Sequence, residues 1–174
     1  MSQRKPLVMV AGQVQQLPAT DQTTGASIVL LDTAFTGATS VPIGALDVNY
    51  RYRFHLWTIP TVGGNGTALL VPSLSSGSQL YTGGVAHPSG NNWSIDNDGL
   101  FLVGYPAGNK THGMGILEPT MADGIRIWSS WGVQCLGSIM YIGTGATDHP
   151  FDASTILSLS GATDGYLKIY QEIP

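Results

Sequence analysis

The stretch Val48-Asn-Tyr-Arg-Tyr-Arg-Phe-His-Leu56 decides the fold class. Val48, Tyr50, Tyr52, Phe54 and Leu56 alternate with Asn49, Arg51, Arg53 and His55. Successive side chains of a strand leave on opposite faces, so this pattern predicts a half-buried strand with its aromatic face in a core. A helix would scatter the same apolar groups around its axis. The stretch lies within Ala45–Ile59, the longest run free of both Gly and Pro in a chain carrying 23 Gly and 10 Pro. Punctuation of that density leaves helices little room.

Outward from this strand, apolar runs at Ile28–Leu31, Thr67–Val71, Gln79–Thr82, Gly99–Tyr105, Ile125–Trp128, Gly137–Ile142, Ile156–Leu159 and Gly165–Ile173 predict further strands. Turn chemistry separates them: Val62-Gly-Gly-Asn-Gly66, Ser75-Ser-Gly77, Pro88-Ser-Gly-Asn-Asn92 and Asp96-Asn-Asp-Gly99. The Asp98-Gly99 and Asp164-Gly165 steps each read as a hairpin turn leading into a strand. Strands at this spacing predict an all-β fold, an antiparallel β-sandwich of jelly-roll type, over residues 28–174. Residues 1–27 differ, with no aromatic residue, Gln13, Gln15 and Gln16 close together, and a polar run over Thr20–Ser27. They are expected to form an extended N-terminal arm, either a docking segment lying along a partner or a partly ordered tail.

Composition narrows the function classes. The 174 residues suffice for one domain and an arm. Charged residues make up 10% of them, against about 25% in an average soluble domain. Interspersed charge is what keeps small domains apart, so a homo-oligomer is expected. The net charge of −4 and the scattered Lys and Arg argue against a nucleic-acid partner. No apolar run has transmembrane length, so no membrane insertion is expected. Leu7–Ala11 is broken by Gly12 and the glutamines before it reaches the length of a signal-peptide core, which predicts cytoplasmic synthesis without a signal. The single Cys135 excludes an internal disulfide framework.

Catalytic patterns are missing. His55 falls on the polar face of the long strand, His87 and His149 precede prolines, and His112 falls in a Gly-rich loop. None stands at a zinc-ligand spacing, and all four read as exposed or loop histidines. Asp96-Asn-Asp-Gly99 lacks the distal Glu of a calcium loop and reads as a turn. No nucleophile elbow or phosphate loop occurs, and nothing selects a carboxylate pair such as Asp123 and Asp148 for glycoside hydrolysis. The expectation is therefore no enzyme, no cofactor and no metal. Aromatics offer more. Trp93 lies beside Asn92 in a polar loop, where an indole face flanked by amides suits stacking on a sugar ring or packing in a subunit interface. Trp128 reads as core or interface, and Trp131, Tyr81 and Tyr105 stand near it or near loops.

Several segments carry a resemblance. Lys5-Pro-Leu-Val-Met-Val-Ala-Gly-Gln-Val-Gln-Gln-Leu-Pro18 resembles a short segment near the start of many tailed-bacteriophage fibre and virion proteins. The body is similar to the β-sandwich modules of phage tail and fibre proteins, in Tyr50-Arg-Tyr-Arg-Phe-His-Leu-Trp-Thr-Ile-Pro-Thr61, Leu74-Ser-Ser-Gly-Ser-Gln-Leu-Tyr-Thr-Gly83 and Gly165-Tyr-Leu-Lys-Ile-Tyr170. Residues 85–97 and 117–137 match least. The resemblance implies a virion structural component, commonly trimeric, made in the bacterial cytoplasm and assembled onto the particle as a tail fibre or tail-associated protein. Its expected partners are other copies, other virion proteins and a host surface glycan or protein. Leu7, Val8, Val10, Val14 and Leu17 are the expected docking residues, and Trp93 and Asn92 the expected ligand contacts. A head-decoration or head-fibre protein and a carbohydrate-binding module are the alternatives.

Overall fold

The computed structural model describes residues 7–10, 13–16, 27–61, 66–73, 80–82, 99–105, 110–118, 126–134 and 140–172. Every regular element among them is a strand: β1 (Leu7–Val10), β2 (Gln13–Gln16), β3 (Ser27–Pro42), β4 (Arg51–Pro60), β5 (Gly66–Val71), β6 (Leu80–Thr82), β7 (Leu100–Tyr105), β8 (Thr111–Leu117), β9 (Arg126–Gln134), β10 (Met140–Thr147) and β11 (Ile156–Glu172). The all-β expectation holds. No helix long and apolar enough to cross a membrane occurs among the described residues.

The deciding strand alternates as read, with Tyr52, Phe54 and Leu56 buried and Arg51, Arg53 and His55 facing outward. Its start differs. Val48 and Asn49 form a turn in which the Asp47 carboxylate accepts from the Asn49 backbone and side chain. Val48 is accordingly exposed, and Tyr50 is half-buried against the core. Local hydrogen bonding to an aspartate outcompetes the ladder at this point.

Nine strands form one antiparallel sheet in the order β6-β10-β9-β8-β4-β11-β5-β7, with β3 paired to β11. The strands follow one continuous path that curls until the sheet nearly closes into a barrel. The long pair β3–β11 explains the curl. β3 follows one edge of β11 over its whole length, while the other edge pairs first with β5 (Ile156–Leu159) and then with β4 (Thr163–Glu172). Besides a bulge in β3 at Leu30, the ladders change at one level, where β11 passes from β5 to β4. Gly37, at φ 59°, adds a residue to β3 near Thr163, β4 ends before β5 begins, and β11 turns through Ser160–Ala162. Side chains replace the lost ladder bonds there: Asp164 accepts from the Gly37 amide at 2.8 Å, and Thr61 Oγ1 donates to the Ala162 carbonyl at 2.8 Å. A left-handed glycine with an extra residue is how a strand bends without breaking.

Three expectations fail. Asp164-Gly165 is the interior of one 17-residue strand, not a hairpin turn between two. Gly165 is required there because Phe35, opposite it on β3, and the Trp57 carbonyl occupy the space of a Cβ. The strand expected at Ile28–Leu31 runs on to Pro42. Thr111–Leu117, read as a Gly-rich loop around His112, is strand β8 at the centre of the sheet.

The core lies inside the curl. Tyr52, Phe54 and Leu56 of β4, Leu167 and Ile169 of β11, Leu117 of β8 and Trp128 of β9 face Leu70 of β5 and Leu100, Leu102 and Val103 of β7. Full burial of each such side chain stabilises the fold by about 1.5–3 kcal/mol, more than the net worth of a ladder hydrogen bond. The Phe54 and Trp128 rings meet edge to face at 5.4 Å. Leu102 and Val103 are neighbours, yet both are buried, because a bulge opposite Ala68/Leu69 turns two consecutive residues inward. They press onto glycines: a Cβ on Gly113 would stand 2.8 Å from that of Val103, and one on Gly115 would overlap Leu102 and Trp128. Arg126 is also buried. Its guanidinium donates to the carbonyls of Glu118 (3.2 Å) and Tyr50 (2.9 Å) and lies over the rings of Tyr52 and Phe151.

β1 and β2 form a separate two-stranded sheet, with Leu7 opposite Gln16 and Val10 opposite Gln13. The expected extended arm thus contains a hairpin.

Candidate interaction face

Alternation along five neighbouring strands builds a second surface on the outside of the curl. A residue on the outer face of β4 has outer-face partners directly beside it on β11 and β8, and the register extends this to β9 and β10. One row reads Asp32, Lys168, His55, Met114, Trp131, Ile142 across six strands. The row on one side is Tyr166, Trp57, His112, and on the other Tyr170, Arg53, Ile116, Ser129, Thr144. The outer face is therefore aromatic and aliphatic along its middle. Trp57 is 43% exposed and Trp131 41%, and Ile59, Ile127 and Ile142 stand out on the same side.

The rings hold one another upright. Trp57 and His112 stack at 4.4 Å with 15° between planes, and Tyr166 approaches Trp57 at 6.1 Å. His112 meets the edge of Trp131 at 6.4 Å, and His55 meets Tyr170 at 5.5 Å. Adjacent strands lie about 4.8 Å apart, so aromatic side chains on facing positions meet face to face. One face of Trp57 is consequently taken by His112. A sugar ring needs an open indole face, whereas another protein surface can interdigitate with ring edges. The exposed ridge favours protein packing.

Charges surround the ridge and are mutually compensated. Arg51 pairs with Glu118 and Glu172 at 3.2 Å, and Arg53 approaches Glu172 at 3.9 Å while lying over the Tyr170 ring. Lys168 pairs with Asp32 at 3.1 Å, and Tyr166 donates to the same carboxylate. These contacts hold the Asp32 carboxyl below its usual range, the Tyr166 hydrogen bond first and Lys168 next. Burial lowers the pKa of His55, with Arg53, His112 and Lys168 adding to the effect, and burial also lowers that of His112. Burial thus disfavours the charged form of both imidazoles, and nearby cations add to this at His55. Neither stands in a nucleophile–base pair, and no group of three or more His, Cys, Asp or Glu side chains able to hold a metal occurs among the described residues. The arrangement can bury surface and hydrogen-bond.

The residues expected from sequence distribute unevenly. Arg51, Arg53 and His55 lie on the outer face as read. Trp128 is fully buried, one of the two places expected for it, and Trp131 is on the ridge. His149, expected to be exposed or in a loop, lies in the connection after β10 and is buried there, its backbone amide donating to Thr147 Oγ1. Leu7, Val8 and Val10 fall on β1 and Val14 on β2, while Leu17, His87, Asn92, Trp93 and Asp123 lie outside the described residues. Trp57, His112, Met114, Ile142, Tyr166 and Tyr170 were missed as a group. The available signal was the outer alternation of β4, which continues past His55 through Trp57 to Ile59. No family model, curated protein or solved structure matches this chain.

Proposed function

We propose that this chain is a non-enzymatic structural protein of a tailed-phage virion, of the tail-fibre or tail-associated kind. In this reading it works as a homo-oligomer, a trimer by preference, joins its neighbours through the N-terminal arm and contributes to host attachment. The phage assignment rests on the resemblance of Lys5–Pro18, Tyr50–Thr61 and Gly165–Tyr170. In the same reading the folded sheet, with β7 turned over β8, β9 and β10, supplies the two-layer core of a sandwich module.

The observation that carries the assembly part is the outer ridge. Large apolar side chains exposed side by side across β4, β8, β9 and β10 are rare on monomers and mark contact surfaces. The compensated rim argues for a partner of little net charge, and another copy of this weakly charged chain meets that requirement. Light scattering on the full chain is expected to give a stable oligomer, and the Trp57→Ala/Trp131→Ala double variant a monomer. A wild-type monomer at tens of micromolar would sink the assembly reading. Immunogold labelling of particles made in an infected host then separates tail from head, and an absence of label from both rejects the virion assignment.

A further inference from the structure

A second uncovered surface lies at the beginning of β3. Ile28, Val29 and Leu30 are 44%, 46% and 43% exposed, so a run of three aliphatic residues on one strand is open to water. Among the described residues β3 pairs with β11 alone, which leaves its other edge, with a row of backbone donors and acceptors, unpaired over Ser27–Leu31. Natural sheets usually protect such an edge with charge, Pro or a covering element. Here the edge carries a bulge at Leu30, between Val29 and Leu31, and still leaves three consecutive aliphatic residues exposed.

The hairpin has a matching need. β1 reads Leu7-Val-Met-Val10, apolar at every position, which is the pattern of a strand covered on both faces. Among the described residues it pairs with β2 alone, and a two-stranded sheet by itself is marginal in water. Its four residues would cover one part of that edge, the part where Ile28, Val29 and Leu30 stand exposed. We propose that β1 of one copy adds to the free edge of β3 in a second copy of this chain, giving a sheet that runs β2-β1-β3-β11 across the junction. Main-chain bonds would supply affinity, and the apolar run of β1 would cover the neighbours of Val29. Residues 17–26 span up to about 35 Å when extended, enough to carry the hairpin to an adjacent copy. Arm-to-edge exchange is a head-to-tail contact, and such contacts close into rings, a threefold ring included. The inference rests on the assembly reading above and names the acceptor of the arm.

Hydrogen exchange on the full-length protein, followed at the amides of 27–31, tests it. Of those amides, the ones that point away from β11 are expected to be protected at least tenfold in the assembled wild type and unprotected in an arm-blocked Val8→Lys/Val10→Lys variant, while those bonded to β11 stay protected in both. An edge-blocked Val29→Lys variant should lose the same protection with the exchange of β4 and β11 unchanged, which shows that the sheet remains folded. The two variants are then mixed, one isotopically labelled. The intact arm of the edge-blocked chain should restore protection to 27–31 of the arm-blocked chain, and to that chain only. Failure of mixing to restore it would mean that each arm covers its own edge, overturning the exchange. An oligomer whose 27–31 amides ignore the arm substitutions overturns the exchange but leaves assembly through the ridge standing; a protected monomer overturns both.

Discussion

The two faces of β8 and β9 are made by alternate residues of the same strands and follow opposite rules. Inside, Gly113, Gly115 and Gly132 give up their side chains so that Val103, Leu102 and Trp128 can come into contact with the backbone. Outside, His112, Met114 and Trp131 stand up from the sheet, with His112 stacked on Trp57 and meeting the edge of Trp131. A curl this tight has less room on its concave side, so small residues line parts of it and bulk moves outward. The usual inference from large apolar residue to core is therefore reversed locally, and the surplus bulk becomes an exposed ridge.

Breaking the inner face should cost most. Trp128→Ala is expected to lower unfolding free energy by about 3–5 kcal/mol, read from denaturant titration, because it removes the edge-to-face partner of Phe54 and leaves a cavity. Gly115→Ala should cost about 1–3 kcal/mol by overpacking against Trp128 and Leu102. Combining it with Leu102→Ala should recover part of that loss. Two fully additive penalties would show that the glycine is not a packing slot.

The outer face should respond to acid instead. His55 and His112 have folded pKa values below the unfolded value of about 6.5, so the unfolded chain binds more protons as pH falls. Stability is then complete above pH 6.5 and declines below it, toward the folded pKa values. Melting temperature followed from pH 7.5 to 5 should show this decline, and His55→Gln/His112→Gln should flatten it. A smaller effect is expected from Trp57→Ala, within about 1 kcal/mol on folding in a partly exposed position, although assembly should weaken clearly by light scattering. Arg51→Ala should be least, about 0–1 kcal/mol, because its ion pairs are substantially exposed and screened. A larger loss would mean that the rim holds the ridge in shape.

How much of this could be read beforehand varies by residue. Alternation made β4 legible, and apolar runs placed β5, β6 and β7 within a residue or so of their observed starts. β8 was not legible, since in Thr-His-Gly-Met-Gly-Ile-Leu the inward positions are glycines and the outward ones carry the bulk. A pattern reader takes that as a loop, because the partner that fills the glycine slots comes from β7. β11 was cut in two by a good turn signal, Asp164-Gly165, which the tertiary structure uses instead to seat Phe35 beside a bend. Long-range pairing with β3, β4 and β5 outweighed a local preference worth far less.

Sequence by itself determined the all-β class, the inward face of β4, the burial of Trp128 as one of two choices, and the low charge that makes association plausible. Each depends on residue type and spacing along the chain. Only the tertiary structure decided that the strands form one curled sheet, that β3 and β11 bend together, and that Trp57, His112, Trp131 and Tyr166 share a ridge. Those facts depend on register between strands distant in sequence, and register is set by which glycine receives which side chain across the core.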